Sequence, residues 1–190
     1  MSILEIVKEP SALLRQKSLP VVLKSVEELK LFETFMFSMR DIMRKEGGMG
    51  IAAIQVGEPL RALIVEIPQQ TLDAHGEPIT ILDTVYIINP EVRSFSEQRI
   101  ILPEGCLSVR QEDGVTSVRG EVERPISLSI NYIDLTNTKQ TLEIDGTKSD
   151  YDRWFARCLQ HEMDHLDGIL FIDKLYIPPQ PFDTNCAGES

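Results

Sequence analysis

Cysteine is scarce in this chain. Cys106, Cys158 and Cys186 are the only three in 190 residues, too few and too scattered for a disulfide framework, which excludes the small stapled class and leaves packing or metal binding as their roles. Basic residues are outnumbered, 19 Lys and Arg against 30 Asp and Glu, and a net charge of -11 argues against a surface that binds nucleic acid. No apolar run approaches the length of a membrane span, and "MSILEIVKEPSALLRQ" lacks the continuous apolar core of a secretion signal. The expected compartment is therefore the cytoplasm, with no membrane partner. Histidine is as rare as cysteine, with three residues, so its placement carries weight.

What is present suits one domain with a real core: 42% of residues are hydrophobic and 26% charged. We expect that domain over residues 1–176 and a flexible tail over 177–190, where Pro and small polar residues dominate and Cys186 is incidental. "SVEELKLFETFMFSMRDIMRKEGG" predicts a long amphipathic helix, with Ser25 and Glu28 as a capping box and Gly47 and Gly48 as its stop. "RALIVEI", "TVYIINPEV", "ISLSINYIDL" and "KQTLEID" predict strands, antiparallel because nothing between them is helical enough for a parallel crossover. "PQQTLDAHGEP" reads as an exposed loop carrying a solvated His75. A second helix is expected from Ser149 to Gly168. The fold class is thus α+β, antiparallel sheets packed around a central helix, with an amphipathic helix near the N-terminus.

The second helix contains "LQHEMDHLDG". His161 and His165 lie one turn apart on one face, close enough for two imidazoles to hold one cation, and Glu162 beside them can act as general base. The third ligand is less evident. A histidine six residues beyond the second would serve, but Phe171 occupies that position. A later glutamate would need a further helix that the sequence does not offer. Cys158 fails because three ligands strung over seven helical residues span roughly 10 Å and cannot converge on one ion. Cys106 remains, in "LPEGCLSV", where Gly105 would let the backbone turn toward the helix; its residue type alone fits a small buried core position equally well.

Three segments in this order, "GGMGIAAIQVG", "EGCLS" and "QHEMDHLDG", resemble the signature motifs of the peptide deformylases. The first is carried by Gly48, Gly50, Ile51, Ala52, Ala53 and Gln55, and weaker matches extend the likeness from about residue 10 to 175. The resemblance implies Cys106, His161 and His165 as ligands of one divalent metal, Glu162 as the proton shuttle, and the Gln55 side-chain amide and Leu107 N–H as oxyanion donors. It implies ferrous iron in the cell, with zinc, nickel or cobalt chemically compatible. The substrate would be the formylated N-terminal methionine of nascent peptides, and the ribosome a potential contact. Met49, Gly50, Ile51, Leu102, Glu104, Gly105, Trp154 and Cys158 would hold the methionine and the adjoining backbone.

The likeness has departures. Arg157 stands where the family is normally apolar, Arg110 where proline is common, and "RQEDGVTS" is longer than usual. Arg157 is expected along the rim with its head in water, and Glu104 or Asp164 to pair with Arg119 or Arg124. Two other functions fit parts of the pattern: a zinc peptidase built on the same helix, and a non-catalytic metal-containing protein that presents a peptide groove.

Overall fold

The computed structural model describes residues 4–111, 113 and 116–178. The expected tail beyond Pro178, with Cys186, lies outside the described residues.

Helix α1 runs over Val26–Lys45. Ser25 caps it by accepting from Glu28 N at 3.1 Å, while the Glu28 carboxylate accepts from Lys24 N at 2.6 Å, one residue before the cap rather than at it. The apolar stripe Phe32, Met36, Met39 and Met43 follows the helical period and is buried. Helix α2 covers Asp150–Leu166, with Ser149 accepting from Asp152 N at 3.0 Å as N-cap. It ends before Gly168, whose φ of +73° is a left-handed stop and where a Cβ would stand 2.5 Å from Arg15 O.

Five strands form one antiparallel sheet in the order β1 (Gly50–Ala52), β2 (Ala62–Leu72), β3 (Pro78–Phe95), β6 (Ser127–Ile133) and β7 (Lys139–Asp145). Strands β4 (Arg99–Arg110) and β5 (Ser117–Pro125) form a separate antiparallel pair. The alternation of β2 decides the layering: Leu63, Val65 and Ile67 face a core shared with Phe155, Leu159 and Leu166 of α2, whereas Ala62 and Ile64 face Met36, Met39 and Met43 of α1. Each fully buried aliphatic side chain in these layers contributes about 1.5–3 kcal/mol. The opposite side of α2 reaches β4 and β5, where Arg157 donates to Ile100 O and Val122 O and Gln160 to Pro125 O. The helix with the histidines is thereby clamped between two sheets, in the antiparallel α+β architecture expected.

Three expectations need correction. "PQQTLDAHGEP" is not a loop: β2 and β3 continue through it in register from Ala62↔Ile88 to Leu72↔Pro78, leaving only a tight turn in which Asp73 accepts from His75 N and Glu77 N. Cross-strand pairing overrides the weak propensity of Pro68, Gln69 and Gln70. Gly105 makes no turn; it pairs with Arg119 inside β4, and the register shift lies between Gly105 and Arg110. Arg157 is 3% exposed rather than spread along a rim, because a carboxylate and three carbonyls meet its guanidinium inside the protein.

Candidate metal centre and active site

Strand β4 carries Cys106 and helix α2 carries His161 and His165, and β4 meets α2 where these side chains point at one another. Their ligand atoms lie within 4.8 Å of one another and all three residues are buried. Cys106 Sγ is 3.2 Å from His165 Nε2. His161 turns Nδ1 to Glu104 Oε2 at 2.9 Å, which leaves its Nε2 for the centre of the group. One cysteine sulfur and two imidazoles are a donor set that suits a three-protein-ligand catalytic site.

The electrostatics favour a cation there. Burial works against a charge on His161, yet Cys106 and Glu104 together push it up to about 10. His165 goes the other way: burial, and then His161 beside it, push it well below the usual histidine range, so it presents a neutral ring. A divalent cation would take the place of the proton that His161 attracts, so the residues present fit a metal.

Glu162 follows His161 on α2 and is 4% exposed. Burial pushes its carboxyl up to about 7, and Oε2 has no hydrogen-bond partner among the described residues. A buried, unpartnered carboxyl with that affinity for a proton suits a group that takes a proton near neutral pH and returns it. Its neighbour on β1 is Gly50, where an added Cβ would stand 2.6 Å from Glu162 Oε1 and from Cys158 Sγ. The glycine therefore makes room for the helix side chains.

Behind the Cys106 sulfur, Gln55 lies in the short 3-10 helix that follows β1 and is 1% exposed. Its Oε1 accepts from Ala52 N at 2.8 Å, and its Nε2 points to Ser108 Oγ at 3.1 Å and Cys106 Sγ at 3.5 Å. Ser108 N also points to Cys106 Sγ at 3.4 Å. These N–H groups fix the position of the sulfur. Ser108 is a residue that sequence reasoning missed; its place two residues after Cys106, on the same strand face, was the available signal.

Glu104, two residues before Cys106, anchors the other side. Arg124 donates to both its oxygens, at 2.6 and 2.8 Å, and Arg157 donates to Oε1 at 2.6 Å. Burial alone would raise this carboxyl, but the Arg124 and His161 hydrogen bonds hold it well below the usual carboxylate range. Arg124 also pairs with Asp164 at 2.8 Å. Of the pairings considered from sequence, Arg124 takes both carboxylates, and neither ion pair involves Arg119.

A cavity of about 290 Å³ opens onto this group, lined by Met49, Gly50, Glu104, Gly105, Cys106, Leu107, Trp154, Cys158, His161 and Glu162, with Arg110, Arg119 and Arg157 also on its wall. Ile51 and Leu102 do not line it. The Ile51 side chain is wholly buried in the α1 core, and the Leu102 carbonyl accepts from Arg157 at 3.3 Å. Gln55 and His165 stand behind the wall. Phe171 stacks on His161 at 6.0 Å between centroids, holding the ring from outside.

Comparison with known proteins agrees in both sequence and shape. The sequence profile of the polypeptide deformylase family matches residues 3–178. A peptide deformylase of Wolbachia sp. subsp. Drosophila simulans (strain wRi) is 36% identical over 179 residues, covering 92% of this chain and 88% of that protein. That of Brucella suis biovar 1 (strain 1330) is 37% identical over 175 residues, covering 92% and 86%. The crystal structure of a class I type b peptide deformylase from Acinetobacter baumannii with Met-Ala-Ser bound superposes with a TM-score of 0.71 at 29% identity, covering 92% of this chain and 99% of that one.

Proposed function

The chain belongs to the polypeptide deformylase family, and we propose that it removes the N-formyl group of nascent peptides at a divalent cation held by Cys106, His161 and His165. The observation that carries the assignment of roles is the buried Glu162 carboxyl, raised toward neutrality beside three converging ligand groups. A site that served only to brace the fold would have no use for it.

When bound, the cation supplies Lewis-acid polarisation and lowers the pKa of water. Glu162 takes one proton from the attacking water, whose oxygen adds to the formyl carbon. We assign the Gln55 amide and the Leu107 N–H to the developing oxyanion; Gln55 Nε2, which reaches Ser108 Oγ at 3.1 Å and Cys106 Sγ at 3.5 Å, would turn from these partners to do so. As the carbon–nitrogen bond breaks, Glu162 returns the proton to the departing nitrogen, giving formate and a free N-terminal amine. Met49, Trp154 and Cys158 provide apolar surface for the methionine side chain, and Gly50, Glu104 and Gly105 offer backbone along which the peptide extends as an added strand. Residues 1–176 act as one catalytic domain, working in the cytoplasm on chains leaving the ribosome. Ferrous iron is the metal we assign, with zinc, nickel and cobalt able to replace it.

The test is formate release from a formyl-methionyl peptide by anaerobically prepared protein carrying one metal per chain, with the acetylated peptide alongside. Turnover of the formyl peptide is expected. Absence of turnover would favour a peptide-binding role, and cleavage of internal bonds would favour a peptidase.

A further inference from the structure

The Glu104 carboxylate is saturated. Oε1 accepts from Arg124 Nε and Arg157 Nη1, both at 2.6 Å; Oε2 accepts from Arg124 Nη2 at 2.8 Å and faces His161 Nδ1 at 2.9 Å. A carboxylate offers about four lone-pair sites, so every site is occupied. Two of the four donors, Arg157 and His161, come from the same helix one turn apart.

Arg157 is an unusual group to find there. It is 3% exposed, its Nε has no partner among the described residues, and Glu104 is the only carboxylate it pairs with. Its remaining hydrogen bonds go to carbonyls: Ile100 O at 2.8 Å, Val122 O at 3.1 Å and Leu102 O at 3.3 Å. A buried cation with an orphaned donor is a poor device for stability, since an apolar side chain of similar volume fills such a site with no desolvation cost. Its placement makes sense if the orientation of Glu104 matters. An ionised carboxylate can only accept, so His161 must carry its proton on Nδ1 and keep Nε2 bare for a metal. A carboxylate swung away from His161 Nδ1 would permit the opposite tautomer, with a proton on the ligand nitrogen.

We propose that Arg157 is a positioning residue for the metal ligand His161, acting through Glu104. Arg124 grips the carboxylate from β5; Arg157 ties it to the helix that carries the histidine, so carboxylate and imidazole keep their alignment when β5 and α2 shift against each other. This rests on the assignment of Cys106, His161 and His165 as the ligands.

The test uses the full chain loaded with Co2+. Arg157→Met should weaken cobalt binding about 10- to 100-fold and shift the visible d–d bands, because the angle of one imidazole changes. Ser149→Ala, a destabilised variant remote from the site, should leave both unchanged. If Arg157→Met binds cobalt with wild-type affinity and spectrum, the proposal is wrong. Should that variant fail to fold, Arg157→Gln, which keeps a donor for the carbonyls and lacks the charge, decides: at least fivefold weaker binding with shifted bands supports the role, and wild-type values overturn it. Wild-type protein that shows no thiolate-to-cobalt charge-transfer band would overturn the ligand assignment itself, before any Arg157 variant is compared.

Discussion

Adding one methyl group at Gly50 should separate metal binding from catalysis. A Cβ there would lie 2.6 Å from Glu162 Oε1, 2.8 Å from Glu162 Cγ and 2.6 Å from Cys158 Sγ, whereas ordinary contact starts near 3.4 Å. The carboxyl must retreat by about 0.8 Å (3.4 less 2.6). Two of the three atoms end flexible side chains, so rotation relieves most of the overlap and the stability cost stays near the low end of the range for overpacking, about 1 kcal/mol. The cost to chemistry is larger, since a general base displaced by about 1 Å loses on the order of 100-fold in rate. None of the metal ligands is among the atoms met, so metal content should not change. The assay is steady-state formate release by Gly50→Ala, with metal per chain by elemental analysis and Tm by calorimetry. The expected pattern is kcat down about 30- to 100-fold, one metal retained, and Tm lower by a few degrees. A variant with full metal and kcat within twofold of wild type would show that Glu162 need not stand where the structure has it.

Cys106→Ala should fold and lose its metal, because no other described sulfur meets the two histidines; a full complement of metal by elemental analysis would remove Cys106 from the ligand set. Glu162→Ala should keep the metal and lose about 100- to 10,000-fold in kcat, read by the same formate assay. Metal-stripped protein should melt at falling temperatures as pH rises from 7 to 10. Cys106 and Glu104 push His161 from 6.5 up to about 10, so the folded state holds an extra proton whose stabilising effect is lost between 6.5 and 10; below 6.5 the raised Glu162, whose effect is lost between 4.5 and about 7, is opposed by His165, which burial pushes well below its usual range and which favours folding more as pH rises. Added zinc should flatten the upper part of that slope, since metal replaces the proton on His161; a Tm that climbs across pH 7 to 10 without metal would contradict the charge assignment. Ser149→Ala should cost about 1 kcal/mol by loss of the α2 cap, with kcat unchanged, measured by denaturant melts and the formate assay.

The features legible in the sequence are those set by local spacing. The stripe of α1, its Ser25 cap, the histidines one turn apart and the left-handed stop at Gly168 each depend on residues within about one turn of helix, and each stands in the structure as expected. The outer half of the β2–β3 hairpin, which reads as a loop in the sequence, departs for the opposite reason. Pro68, Gln69 and Gln70 are poor strand formers taken singly, and what makes them a strand is Leu82, Ile81 and Thr80 across the ladder. Arg157 was misread in the same way: its charge called for water, and what keeps it inside is a carboxylate 53 residues earlier in the chain. Cys106 sits between these cases. Spacing alone left it a core residue or a ligand, because its distance from His165 is set by how β4 lies on α2, a tertiary fact with no local pattern. The resemblance supplied what periodicity could not, by linking three short segments whose meaning depends on their meeting. That reliance on tertiary placement also predicts where a relative of this chain can vary: the ladder of the distal hairpin can change freely, whereas a relative with an apolar residue in place of Arg157 leaves Glu104 Oε1 to Arg124 alone and loses the tie between that carboxylate and α2.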